Sequence, residues 1–256
     1  MVIGPIDSEL QKFFSKASLE DWKKIAKQEA GGKDPLESLS WSSQDQISFQ
    51  PYYDAQCDDE LQFVRAFCAT ATRQWLNLPR LRDGSAHEIN RLALEHLMNG
   101  ADGVLFDSTD HSYSGIESMI NDIKWRHCYL GFCAEENSPL TSILPDIIAK
   151  TVSPETVNGA LFWNSIPKDI DLSYYFNLIP TFHALVFSIP ETSPVKELFT
   201  AVTTGIRAFE KFRTSGNERQ VFQSIAFSLP ASSSLFETVA KFKALRILWY
   251  QVARVY

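Results

Sequence analysis

Long apolar runs are missing from this sequence. No stretch approaches the roughly 18 residues that a membrane span needs. An excess of basic charge is missing too: 24 Lys and Arg stand against 31 Asp and Glu, a formal net charge of −7. Nucleic acid and anionic membrane surfaces call for a basic face, so neither is expected as the main partner. Cysteine is sparse. Cys57, Cys68, Cys128 and Cys133 lack the spacing of a disulfide framework and read as free thiols of a reducing compartment, so the expected location is cytoplasmic. The opening stretch, MVIGPIDSELQKFF, has no basic head before an apolar segment, so no signal peptide is expected. No G-x-G-x-x-G and no G-x-x-x-x-G-K-[ST] follows any candidate strand, which argues against a nucleotide-binding fold. No Ser-His-Asp or Cys-His set can be assembled from spacing.

What is present is ordinary for a globular protein: 256 residues, 45% hydrophobic and 21% charged. Residues 1–65 read as an arm and 66–256 as the main domain. In the arm, 8–16 and 19–30 have helical spacing, and Ser18 with Asp21 can cap the second helix before Gly31-Gly32 ends it. The following stretch, GGKDPLESLSWSSQDQISFQPYYD, is polar and turn-rich, with too few apolar residues for a core of its own. Such a segment must wrap another body, and its aromatics are typical interface anchors.

From about residue 66 strand-like and helix-like segments alternate. Strands are expected at 67–75, 103–107, 127–134, 159–164, 182–189 and 223–229. Helices are expected after Ser85 with Glu88, Ser114 with Glu117, Ser138-Pro139, near 174–177, after Ser193-Pro194, and after Ser234 with Glu237. The last helix, FETVAKFKALRILW, has an apolar side and a basic edge of Lys241, Lys243 and Arg246. Near-continuous apolar strands suit a parallel sheet covered by helices. An open sheet and a barrel both fit six β/α units. At roughly 30 residues per unit, a complete eight-unit barrel would need about 60 more.

Two stretches carry a family resemblance. Glu237, Ala240, Lys241, Ala244, Arg246 and Trp249 resemble the "EIAK-RA-R-LW" helix of adenosylcobalamin-dependent acyl-CoA mutases, above all methylmalonyl-CoA mutase. Gly32, Asp34, Pro35, Leu39, Trp41, Ile47, Pro51 and Tyr53 resemble that family's N-terminal arm, which wraps the partner subunit. The resemblance implies a TIM-type (β/α)8 barrel, here incomplete with six β/α units. The family's first strand carries R-P-W-T-I-R-Q-Y. Here Arg73 and Gln74 are kept, Cys68 and Ala71 replace an arginine and the threonine, and Trp75 replaces the tyrosine that contacts substrate. The Tyr-His pair that ends the family's fifth strand is absent after Val186. The cobalamin-ligating D-x-H-x-x-G is absent altogether.

These departures imply the family's small, non-catalytic subunit. It would support a large catalytic subunit in a cytoplasmic heterodimer that isomerises methylmalonyl-CoA to succinyl-CoA in propionate metabolism. Adenosylcobalamin would be held by that partner and not by this chain, and the chain alone would be inactive. The alternatives are a free-standing binding or scaffold protein on a degenerate mutase barrel, or an unrelated barrel enzyme. No catalytic, cofactor or metal residue is assigned. His183 reads as a core histidine. Asp107, Asp110 and His111 cluster after the second strand but read as loop caps. Cys128 and Cys133, five apart on one strand, point to opposite faces and share no metal. Trp163, Tyr174, Tyr175 and Phe176 read as core and rim, and Glu135-Glu136 as solvated.

Overall fold

The computed structural model describes residues 18–43, 45–53, 75–151, 154–179, 181–190 and 193–256. The chain divides into two units, Met1–Thr72 and Arg73–Tyr256. In the first, helix α1 spans Leu19–Glu29. Its capping box is the expected one: Ser18 Oγ accepts from Asp21 N at 3.1 Å, and Asp21 Oδ2 accepts from Ser18 N at 3.1 Å. Gly31 and Gly32 end it at φ 64° and 91°, a region that favours glycine. The turn-rich stretch is more ordered than its composition suggests. It holds a short helix, α2 (Pro35–Leu39), capped by Asp34, and a hairpin of β1 (Trp41–Ser42) and β2 (Ser48–Phe49). Trp41 stacks on Phe49 across that hairpin at 4.3 Å, and Trp22 stacks on Tyr52 at 5.2 Å. The expected helix at 8–16 lies outside the described residues.

The second unit is built on six parallel strands: β3 (Arg80–Leu81), β4 (Gly103–Phe106), β5 (Tyr129–Ala134), β6 (Asn158–Trp163), β7 (Phe182–Ser188) and β8 (Ile225–Ser228). Among the described residues they lie in sequential order, with β3 and β8 at the edges. The connecting helices are α3 (Ala86–Met98), α4 (Tyr113–Met119), α5 (Leu140–Thr151), α6 (Leu172–Leu178), α7 (Pro194–Phe212) and α8 (Glu218–Ser224); α9 (Leu235–Val255) follows β8.

Two expected boundaries are corrected. The strand expected at 67–75 falls outside the described residues but for Trp75, and among the described residues the first strand of the sheet is Arg80–Leu81. Residues 67–74 lie outside the described part, and Trp75 is in a loop, 94% exposed. Asn77–Leu81 runs beside β4 through Asp102 N to Asn77 O, Leu105 N to Pro79 O and Asp107 N to Leu81 O. Pro79 donates nothing, which an edge strand tolerates. The helix after β4 is capped by Ser112, whose Oγ accepts from Gly115 N at 3.1 Å, and not by Ser114. Residues 223–224 close α8 and do not begin β8. At α9, Ser234 caps the helix as expected, accepting from Glu237 N. Its own N–H goes to Ser232 Oγ rather than back to Glu237.

One core cluster gathers the helices and one face of the sheet. It joins Ile89, Ile116, Leu144, Tyr175, Phe209, Val221 and Leu245 from α3 to α9 with Leu81, Phe106, Phe132, Leu161, Trp163 and Phe187 from the strands. Sequential order with right-handed crossovers sends each connection to the same side. The other face of the sheet contributes nothing to this cluster.

Candidate functional site

The strand register defines that second face row by row. Arg80, Leu105, Gly131, Ala160 and His183 stand side by side across five strands. Cys133, Phe162, Val186 and Ala226 form the next row toward the strand C-termini. Asp107 and Arg82 extend this row just past β4 and β3. Gly131 has a steric role: a Cβ there would meet Leu105 Cδ1 and Phe162 Cε2, each at 2.8 Å. Its bare backbone lets those two side chains approach over β5.

Charge gathers at one end of this apolar floor. Arg80 Nε and Arg82 Nε both donate to Asp107 Oδ2, at 2.9 and 2.7 Å. Arg80 Nη2 reaches Cys133 Sγ at 3.8 Å. Burial opposes ionisation of Asp107, but the hydrogen bonds from Arg82 and Arg80 outweigh it and hold its pKa below the ordinary carboxylate value. The Asp107 bond raises the pKa of Arg82. Burial, then the Asp107 charge, pushes the Cys133 thiol up to about 12, so it stays protonated and is no nucleophile at neutral pH.

The other candidates are dispersed. Asp110 Oδ1 accepts from Ser112 N and Oγ, and His111 Nδ1 meets Ser138 Oγ at 3.1 Å. With Asp107 turned to the arginines, these three do not converge, and no group of three metal-ligating side chains exists among the described residues. His183 is corrected: it faces away from the helix-side core and is exposed. Desolvation between the strands lowers its pKa all the same. Cys128 precedes β5 and packs on the helix side, while Cys133 lies on the second face; both are free thiols. Trp163 and Tyr175 are buried, with Tyr174 and Phe176 half-buried beside them, and Glu136 pairs with Lys168 at the surface. Cys68, Ala71, Arg73 and Gln74 lie outside the described residues.

Sequence reasoning missed Arg80 and Arg82. The available signal was an Arg-x-Arg alternation, which puts both side chains on one face of an extended segment. A cleft of about 1030 Å³ lies between α3, α4 and the turn into β5. Its lining mixes Glu117 and Asp122 with Lys124 and Arg126. No described helix is long and apolar enough to cross a membrane. Comparison with protein-family models and with curated proteins gives no match for this chain.

Proposed function

We propose that this chain is the small, non-catalytic subunit of an adenosylcobalamin-dependent methylmalonyl-CoA mutase, on an incomplete (β/α)8 barrel. The observation that carries the reading is the winding of the sheet. Six parallel strands in sequential order, with the helices packed into one core on one face, support a (β/α)-barrel winding over a doubly wound sheet, whose order reverses. The last helix and the arm supply the sequence resemblance.

A supporting role fits the residues. Trp75 has no hydroxyl for a reacting acyl group, and β7 runs out through Ser188, Ile189 and Pro190 without a Tyr-His pair. The chain does not fit the cofactor: none of its five histidines stands in a D-x-H-x-x-G context. His111 is engaged by Ser138, and Arg126 Nε donates to His127 Nε2. No chemical step is therefore assigned to this chain. Its role is to dock on the catalytic subunit in the cytoplasm.

Co-expression with a mutase large subunit tests this. A stable 1:1 complex is expected, with adenosylcobalamin bound in equilibrium dialysis by the complex and not by this chain alone. Tight stoichiometric binding by the isolated chain, or turnover of methylmalonyl-CoA by it, would overturn the reading.

A further inference from the structure

We propose that Arg80 and Arg82 form a receptor for an oxyanion, a carboxylate or a phosphate monoester, carried on a short apolar chain. The geometry of the two guanidiniums is the starting point. One oxygen, Asp107 Oδ2, holds both by their Nε atoms. That fixes the inner edges and leaves the Nη groups, the part of the fork that grips oxyanions bidentately. Arg80 Nη2 has only the sulfur of Cys133 at 3.8 Å, and no other Nη bond of either residue is formed among the described residues. The side chains are 50% and 61% exposed, so a ligand can reach them. Asp107 neutralises one of the two cations. Cys133 stays neutral. The field of Asp83 also reaches Arg82, but Asp83 is exposed and makes no ion pair among the described residues, so solvent screens it.

The position adds the second half. The cluster stands at the C-terminal ends of parallel strands, where β/α folds bind their ligands. Beside it runs the floor of Leu105 and Phe162, meeting over Gly131. At about 4.8 Å per strand, Phe162 lies roughly 10 Å across the sheet from Asp107, within reach of a tail of a few carbons. A ligand with its anion on the arginines would lay that tail on the floor. This inference does not rest on the mutase reading and survives its failure.

The test uses the full chain at low ionic strength, with butyl phosphate, pentanoate and inorganic phosphate as probes. Arginine Nε–H signals in ¹H–¹⁵N spectra report the site directly. Saturable binding is expected for butyl phosphate or pentanoate, at least tenfold tighter than for inorganic phosphate. The tighter tailed probe identifies the oxyanion. Arg82→Gln and Arg80→Gln should each weaken it at least tenfold. Arg82→Lys keeps the charge and loses the fork; it should bind more weakly than the parent with an unchanged melting curve, which separates recognition from folding. Absence of saturable binding, or equal affinity in all three variants, overturns the proposal. Equal affinity for tailed and untailed probes overturns the role of the floor.

Discussion

Lys241 stands where the periodicity of α9 predicts a basic edge, yet its side chain is 3% exposed. It pairs with Glu197 of α7, itself 6% exposed, and its Nζ donates to Pro230 O at 2.6 Å. One ammonium thus ties two helices and the loop between β8 and α9. Removing a single partner leaves an uncompensated buried charge, and Lys241→Met or Glu197→Leu should each cost about 3–5 kcal/mol. Replacing both should recover most of that loss in urea unfolding; a double variant as unstable as the sum of the singles would refute the pairing. Asp107 works differently. Its pKa is depressed in the folded state, so the stability it adds is present above the unfolded carboxylate value near 3.8 and is lost as pH falls through the lower folded value. The difference in urea midpoint between the parent and Asp107→Asn should hold from pH 7 to 5 and shrink by pH 3. A difference that grows on acidification would reverse the sign argued here. Gly131→Ala would drive a methyl into Leu105 and Phe162, at about 1–3 kcal/mol, and would splay the floor beside the arginines.

At the scale of elements, α9 is the unusual one. Apolar residues lie on every side of it, a pattern expected of a helix covered all round, yet only Lys241 and Leu245 are buried. One side packs on α7, α8 and β8. There Trp249 stacks on Phe222 and meets Phe227 edge-on, and a Cβ at Gly205 would strike Trp249 and Phe227 at 2.7 Å. Gly205→Leu should therefore prise α9 from α7 and lower the melting temperature by several degrees. Phe236→Ser, at a side chain 87% exposed, should leave the melting temperature where it is. Most caps and the central strands of this fold are legible in the sequence, because Ser-x-x-Glu, Ser-Pro and Gly-Gly act locally and β5 to β7 are near-continuous apolar runs. The edges are not. β3 is two residues behind a proline, flanked by charge, and becomes a strand only through pairing with β4. Helix α8 has no side-chain cap at Asn217 to announce it. The arginine cluster escapes for a related reason: Arg80, Arg82, Asp107 and Cys133 are up to 53 residues apart, and parallel register alone brings them together.

For the whole molecule, the question is what covers its remaining apolar surface. In the first unit, α1 has an amphipathic stripe with no buried residue, and Trp41 is 59% exposed although it stacks on Phe49. In the second, the described helices pack on one face of the sheet, and the outer side of α9 shows Leu235, Phe236 and Val239. A parallel sheet is stable in water when both faces are covered, and apolar area beyond a few hundred Å² marks an interaction surface. These observations carry the expectation that the chain associates with itself when alone, and the proposed function adds a mutase large subunit as the partner to offer it. The arm and the sheet should contribute separately. The arm has little core of its own, so deleting residues 1–54 removes interface anchors while sparing the core cluster that begins at Leu81. Sedimentation should show weaker self-association, and capture of the large subunit should fall at least tenfold. The urea midpoint of the remaining unit should hardly move. A deletion that unfolds residues 81–256 would make the arm part of the fold. A full chain that sediments as a strict monomer and captures no large subunit would leave this surface without the partner assigned to it.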